Sequence, residues 1–216
     1  LVTDKDSDIQ EPEDLYGEKV GLIGGRTGGS AMALQTALRS EGINLSRIQF
    51  EGVTSENAPV LVREGELAAA MFDSSNIVSP DFDDNYRTVI DFGENLHDTY
   101  GAVPPSQFVV VREKYYEEDP EKYEKGTQWL RDNFDWARDN MEQISRARSE
   151  GEGEAAGKPV DLLMNKSTCF SRIGEFNQED KQVLEDYFET AKDVGVIDQI
   201  PDIDSVFDGA VERSYR

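Results

Sequence analysis

Lys19-Val20-Gly21-Leu22-Ile23-Gly24-Gly25-Arg26-Thr27-Gly28-Gly29-Ser30-Ala31-Met32-Ala33-Leu34 runs from an apolar pentapeptide, through a glycine-rich turn, into a helical pattern. The first five residues suit a buried strand. From Ala31 to Arg39 the apolar positions Met32, Leu34, Ala37 and Leu38 recur at helical spacing, and Gly42 supplies a stop. A strand turning through glycines into a helix is the opening unit of an α/β fold. Backbone N–H groups at such a helix start lack partners and sit at the positive end of the helix dipole, so they favour an anion. Glycines let a ligand approach the backbone, and the Thr27 and Ser30 hydroxyls and the Arg26 guanidinium add donors. No Asp or Glu occurs from Lys19 through Ser40, although the chain holds 45 acidic residues among 216. A buried helix behind a tight turn would also lack acids, so the gap alone does not separate ligand contact from packing. The turn is not a Walker A loop, because no Gly-Lys-Ser/Thr follows, and it lacks the G-x-G-x-x-G dinucleotide spacing.

Outward from this unit, Ile48–Phe50, Leu67–Phe72, Arg87–Asp91 and Gln107–Val111 read as further strands, and Asn57–Glu64 as a short helix. Strands alternating with helices predict a parallel-rich sheet. Thr54-Ser55-Glu56-Asn57 and Asp73-Ser74-Ser75-Asn76 each follow a strand, as the glycine turn does. In an open α/β sheet ligands gather outside the carboxyl ends of the strands, so three polar loops stand where they can converge. Each loop taken alone is also what an ordinary turn or helix cap looks like.

The second half is helical. Asp119-Pro120 is a cap followed by Pro at the first helical position. Tyr123, Leu130, Phe134, Ala137, Met141 and Ile144 then predict one long amphipathic helix. Ser149–Pro159 shifts to Gly, Glu and Ala and reads as a flexible loop. Asn177 caps a helix through Val194 that Gly195 ends, and Ile203–Val211 reads as a last short helix. The division expected is an α/β ligand-binding lobe over 1–112 and a mainly helical part over 113–216.

Lys plus Arg total 22 against 45 Asp plus Glu, a net charge of −23. That charge argues against a phosphate-backbone partner, so no nucleic acid is expected. Acid dispersed along the chain, with nine Lys against thirteen Arg, reads as the acidic surface of a halophilic protein, with an ordinary acidic surface as the alternative. No stretch is apolar enough over some 18 residues to span a bilayer. One cysteine, Cys169, and one histidine, His97, leave no His/Cys set for a metal or a triad. Cys169 reads as a buried or half-buried hydrophobe and His97 as a surface loop residue. Asp4, Asp6 and Asp8 alternate as in a calcium loop, but Ile9 and Leu15 stand where Gly and Glu are needed. They read as a solvated N-terminal segment. No catalytic residue, metal ligand or cofactor is assigned.

Glu13-Asp14-Leu15-Tyr16-Gly17-Glu18-Lys19-Val20-Gly21 resembles the "DLkGKkvgv" segment of extracytoplasmic solute-binding proteins of ABC importers, in the nitrate, sulfonate, taurine and thiamine-precursor branch. The resemblance continues through the glycine turn, Leu38 to Ile48, and Val62-Arg63-Glu64-Gly65-Glu66-Leu67-Ala68-Ala69-Ala70, where Ala69 replaces a common Asp. Val196-Ile197-Asp198 and Pro201–Asp208 resemble the family's C-terminal "G.i…pdvd.lfd". It implies a three-layer periplasmic-binding-protein-like (type II) lobe with a parallel-rich mixed sheet, followed by C-terminal helices. Because only Leu1–Pro12 precede the Asp-Leu segment, it also implies that the N-terminal part of lobe 1 is missing. By resemblance the cleft-facing residues are Arg26, Thr27, Gly28, Gly29, Ser30, Thr54, Asp73 and Ser74. The implied function is non-enzymatic: a monomer binds a small, anionic or polar organic solute and delivers it to an ABC permease. The implied location is extracytoplasmic, with a lipid anchor in the full-length protein. The same fold also carries a thiamine-pyrimidine-precursor synthase and the effector-binding domains of regulators. Asp73 and Phe72 leave a cationic solute open.

Overall fold

A computed structural model describes residues 1–77, 82–101, 104, 111–140, 142–144 and 178–203. The chain divides into two compact units, Leu1–Ser106 with Gln182–Pro201, and Gln107–Lys181 with Asp202–Arg216.

The first unit is built on one sheet. Its strands are β1 (Val2–Asp4), β2 (Lys19–Ile23), β3 (Gln49–Val53), β4 (Ala69–Ala70) and β5 (Tyr86–Thr88), in the order β3-β2-β4-β1-β5. β2 pairs in parallel with β3 and with β4, whereas β1 runs antiparallel to β4 and β5. Helix α1 (Gly29–Ser40) carries the chain from β2 to β3, and α2 (Ala58–Arg63) carries it from β3 back across β2 to β4. Two crossovers of the same hand that travel in opposite directions place their helices on opposite faces of the sheet. Period-2 side-chain alternation then divides the core. Val20 and Leu22 of β2 pack with Leu34, Ala37 and Leu38 of α1 in one cluster. Val53, Ala58, Val62, Leu67, Ala70 and Phe72 form the cluster on the other face, which Ile23 joins. The result is the three-layer, parallel-rich mixed α/β architecture expected from sequence.

Gly21 shows how closely the second face is packed. A Cβ there would lie 2.9 Å from Leu67 Cδ1 and 3.0 Å from Ala70 Cβ. Helix α1 ends by backbone geometry: Gly42, at φ +85°, donates to Arg39 O, and Ile43 donates to Leu38 O at 2.9 Å. Short helices α3 (Ser74–Ile77) and α4 (Phe82–Asn85) follow β4, and α5 (Phe92–Tyr100) follows β5. The side chain of Asp91 caps α5 by accepting from Gly93 N and Glu94 N. Two further helices, α6 (Glu113–Glu118) and α7 (Pro120–Asp139), belong to the second unit, and Asp119 caps α7 by accepting from Lys122 N. The last helix described, α8 (Gln178–Asp193), has most of its length in the first unit. Within that unit Tyr187 of α8 meets Tyr100 of α5 edge-to-face at 6.2 Å, and Arg39 Nε of α1 donates to Val194 O at 2.7 Å.

Several expectations are corrected. Asp6 and Asp8 are exposed and Asp4 is half-buried, as expected of a solvated segment, but the residues before them form a strand: Val2 and Thr3 are buried in β1 and the Thr3 hydroxyl donates to Ala68 O at 2.6 Å. The Asp4 carboxylate turns back onto Asp6 N at 2.9 Å, a local turn contact. His97 is exposed as expected, but it lies on α5 and not in a loop. Strand β3 continues to Val53 because its pairing with β2 reaches Ile23, while β4 is cut to two residues. α7 ends at Asp139, where Asn140 N donates to Trp136 O and Ala137 O; residues 142–144 are helical as expected, but the single helix expected through Ile144 is interrupted at Asn140. The expected strand over 107–111 falls, apart from Val111, outside the described residues. So do the loop over 149–159, Cys169, and the helix over 203–211 beyond Ile203.

Candidate functional site

The sheet brings three loops to one edge. Parallel pairing of β2 with β3 and β4 puts Ile23, Val53 and Ala70 at the same end, so the segments after them emerge side by side. The chain leaves β2 toward β3 on one side and later returns to β4 on the other, so the strand order reverses about β2. A reversal of that kind opens a crevice at the carboxyl ends of the strands. The glycine turn stands at this point.

The turn is shaped by its glycines. Gly24 and Gly25 have φ of +74° and +73°, a region that costs a side-chain-bearing residue about 1–2 kcal/mol. Gly25 N donates to Leu22 O at 3.1 Å and Gly28 N to Gly25 O at 3.2 Å. Gly28 is the N-cap of α1, with no side-chain cap, and its carbonyl accepts the first helical bond from Met32 N at 2.8 Å. The helix therefore presents the amides of its first turn, beginning with Gly29 and Ser30, with no carboxylate in that turn. A Cβ on Gly28 would crowd Ile23 O at 3.2 Å, whereas one on Gly29 would meet nothing within 4 Å. Arg26 and Thr27 are exposed, and the Arg26 guanidinium lies over the Phe50 ring at 5.1 Å.

The other two loops are closed by their own hydrogen bonds. After β3, Thr54 N donates to Asn57 Oδ1 at 2.9 Å, and Asn57 N donates to Thr54 Oγ1 at 3.4 Å. After β4, Asp73 N donates to Asn76 Oδ1 at 3.2 Å, and Asn76 N donates to Asp73 Oδ1 at 3.1 Å. Both are reciprocal turn caps. Asn76 Nδ2 also donates to Ser55 O at 3.2 Å and so links one loop to the other. A hydrogen bond from Thr54 holds the Glu56 carboxyl below its ordinary value, with help from the Glu56 backbone amide and against partial desolvation and the like charge of Asp73. The edge thus carries amide donors and Arg26 at the glycine turn, and the Glu56 and Asp73 carboxylates on the flanking loops.

Of the residues named from sequence, Arg26, Thr27, Gly28, Gly29 and Ser30 form the turn and the start of α1, Thr54 follows β3, and Asp73 and the first residue of α3, Ser74, follow β4. All stand at the same sheet edge. Sequence reasoning missed Gln35. Its side chain is 4% exposed inside α1, and Nε2 donates to Arg26 O at 2.8 Å and to Ala31 O at 3.0 Å. Its signal was a lone amide among apolar helix positions. Phe50 was read only as a strand residue. Among the described residues no group of three or more His, Cys, Asp or Glu is placed to hold a metal ion.

A family model described as NMT1/THI5 like matches residues 1–144. No curated protein sequence matches the chain. Among solved structures, the chain is similar to a protein of Methylobacillus flagellatus KT assigned as the periplasmic sulfonate-binding protein SsuA of a sulfonate ABC transporter. The TM-score is 0.64 at 14% identity, over 99% of this chain and 64% of that one. It is also similar to the periplasmic aliphatic sulphonate binding protein SsuA of Escherichia coli, with a TM-score of 0.63 at 19% identity, over 88% of this chain and 61% of that one. The desulfurization enzyme DSZB matches with a TM-score of 0.50 at 11% identity, over 99% of this chain and 74% of that one. The chain therefore spans less than two thirds of the length of either SsuA structure.

Proposed function

The chain belongs to the NMT1/THI5-like family, and on that premise we propose that it is the solute-binding lobe of an ABC importer, binding without catalysis. Residues 1–112 form the ligand-binding lobe in this reading. The solute is a small organic anion, of which a sulfonate is the leading class because both SsuA proteins named above are described as sulfonate-binding. The observation that carries the reading is the acid-free start of α1, where uncapped amides open at the carboxyl end of β2. Those amides and the helix dipole neutralise the anionic group. Arg26, Thr27 and Ser30 add donors, Gly28 and Gly29 admit the group to the backbone, and Thr54, Asp73 and Ser74 line the flanks. Closure of the cleft presents the loaded protein, a monomer, to a membrane permease on the extracytoplasmic side, where a lipid anchor holds it. The dispersed acid is the surface of a halophilic protein.

Glu56 and Asp73 favour a second reading of the ligand. The two carboxylates stand on loops that Asn76 ties together beside an anion-binding turn, a placement that suits a solute also carrying a cationic group. Calorimetric titration of the full-length protein with methanesulfonate and with taurine tests both readings. Saturable 1:1 binding of either supports the function, and tighter binding of taurine selects the second form. Binding of simple amines with no response to sulfonates, sulfate or nitrate would overturn the anion site.

A further inference from the structure

We infer that Gln35 is a positioning residue for the glycine turn, a role that rests on the solute-binding reading above. Gln35 lies in the second turn of α1 and is 4% exposed. A buried amide without partners is costly, so its bonds decide whether it is tolerated. Its nitrogen faces two carbonyl oxygens, Arg26 O at 2.8 Å and Ala31 O at 3.0 Å. Two acceptors fix which end of the amide is the NH2 group, because the oxygen end would place acceptor against acceptor.

The bond to Ala31 is local, four residues back on the same helix, and any Gln at that position can make it. The bond to Arg26 reaches nine residues back, out of the helix and into the turn. It holds the one stretch between the positive-φ glycines and the N-cap that the turn's backbone bonds leave untied, since those bonds join Leu22 to Gly25 and Gly25 to Gly28. With Arg26 O drawn inward, the Arg26 side chain is directed outward over Phe50, and the peptides on either side of Gly28 are set relative to the helix axis. Gln35 itself touches no solute. It stabilises the turn conformation in which the first-turn amides converge, so the binding free energy need not include ordering of that loop.

The test uses the full-length protein, with Gln35→Met, which keeps length and apolar packing but donates nothing, and Gln35→Glu. Amide hydrogen exchange is read without solute, and affinity is read with methanesulfonate. In Gln35→Met the amides of Gly25, Gly28 and Met32 should exchange at least about tenfold faster, while those of β3 and α2 stay at wild-type rates. That is the effect of losing one net hydrogen bond. Methanesulfonate affinity should fall about tenfold. In Gln35→Glu the ionised carboxylate cannot donate to Arg26 O but the neutral acid can. Turn protection and affinity should therefore recover as the pH is lowered from 8 to 5, relative to wild type. Wild-type exchange at the turn in both variants, or a Gln35→Glu profile parallel to wild type, overturns the positioning role. Because exchange is read on solute-free protein, a wild type that binds no methanesulfonate would count against the solute reading alone, and the exchange rates would still decide the role of Gln35. If Gln35→Met does not fold, the pH profile of Gln35→Glu decides.

Discussion

Asn76 Nδ2 donates to the carbonyl oxygen of Ser55 at 3.2 Å, joining the loop after β4 to the loop after β3 across the end of the strand that lies between them. The same side chain accepts from Asp73 N through Oδ1. Asn76→Ala removes both bonds and leaves half-buried backbone groups to water or to nothing. The expected loss of stability is about 1–2 kcal/mol in denaturant melts. If the two loops line one cleft, solute affinity falls as well. A variant with wild-type stability would show that the link contributes nothing.

The glycines of the turn divide into those required by the backbone and those left open. Gly25→Ala places a side chain at φ +73° and is expected to cost about 1–2 kcal/mol. Gly29→Ala meets nothing within 4 Å and is expected to leave stability within about 0.5 kcal/mol, or to raise it slightly, since Ala propagates a helix better than Gly. Thermal melts of the two variants check the contrast. Equal melting temperatures would contradict the assigned backbone conformation.

Much of this edge was legible from sequence because its signals are local. β2 runs from Lys19 to Ile23 as its apolar run predicted, and the glycines mark the turn and the start of α1. What was not legible depends on tertiary pairing. Val2 and Thr3 are too short a run to stand out beside Asp4, Asp6 and Asp8, and they become a strand only because β4 and β5 offer edges on either side. The length of β4 is likewise set by its neighbours: Val20–Gly21 on one side and Val2–Thr3 on the other leave two residues to pair. Gln35 escaped because apolar periodicity counts a buried amide as a gap, and its partner lies outside the helix. Thr54 and Asp73 were read as either ligand contacts or turn caps, and their backbone bonds show the capping role.

Tyr187 gives the fold an alkaline limit. Burial pushes its phenol up to about 12, partly offset by the Thr36 hydroxyl and reinforced by Tyr100. The folded value lies above the ordinary 10.0, so the folded state prefers the neutral phenol. Its contribution is complete below about pH 10 and is lost as the pH rises through about 12, amounting to about 2–3 kcal/mol in all. Denaturant melts from pH 9 to 12 should show the wild type losing stability more steeply than Tyr187→Phe. Parallel profiles would mean that the phenol titrates freely in the fold.

The central claim is that a small organic anion sits on the first-turn amides of α1, and Gly29→Val tests it most directly. The position has open space in front of it and ordinary backbone angles, so the variant should melt as the wild type does. Its branched side chain would occupy the space the solute needs. Isothermal titration of the full-length protein with methanesulfonate and taurine should give saturable 1:1 heat in the wild type and a loss of at least about 100-fold in affinity in Gly29→Val, or about 2.8 kcal/mol. Wild-type affinity in a normally folded Gly29→Val would contradict the site.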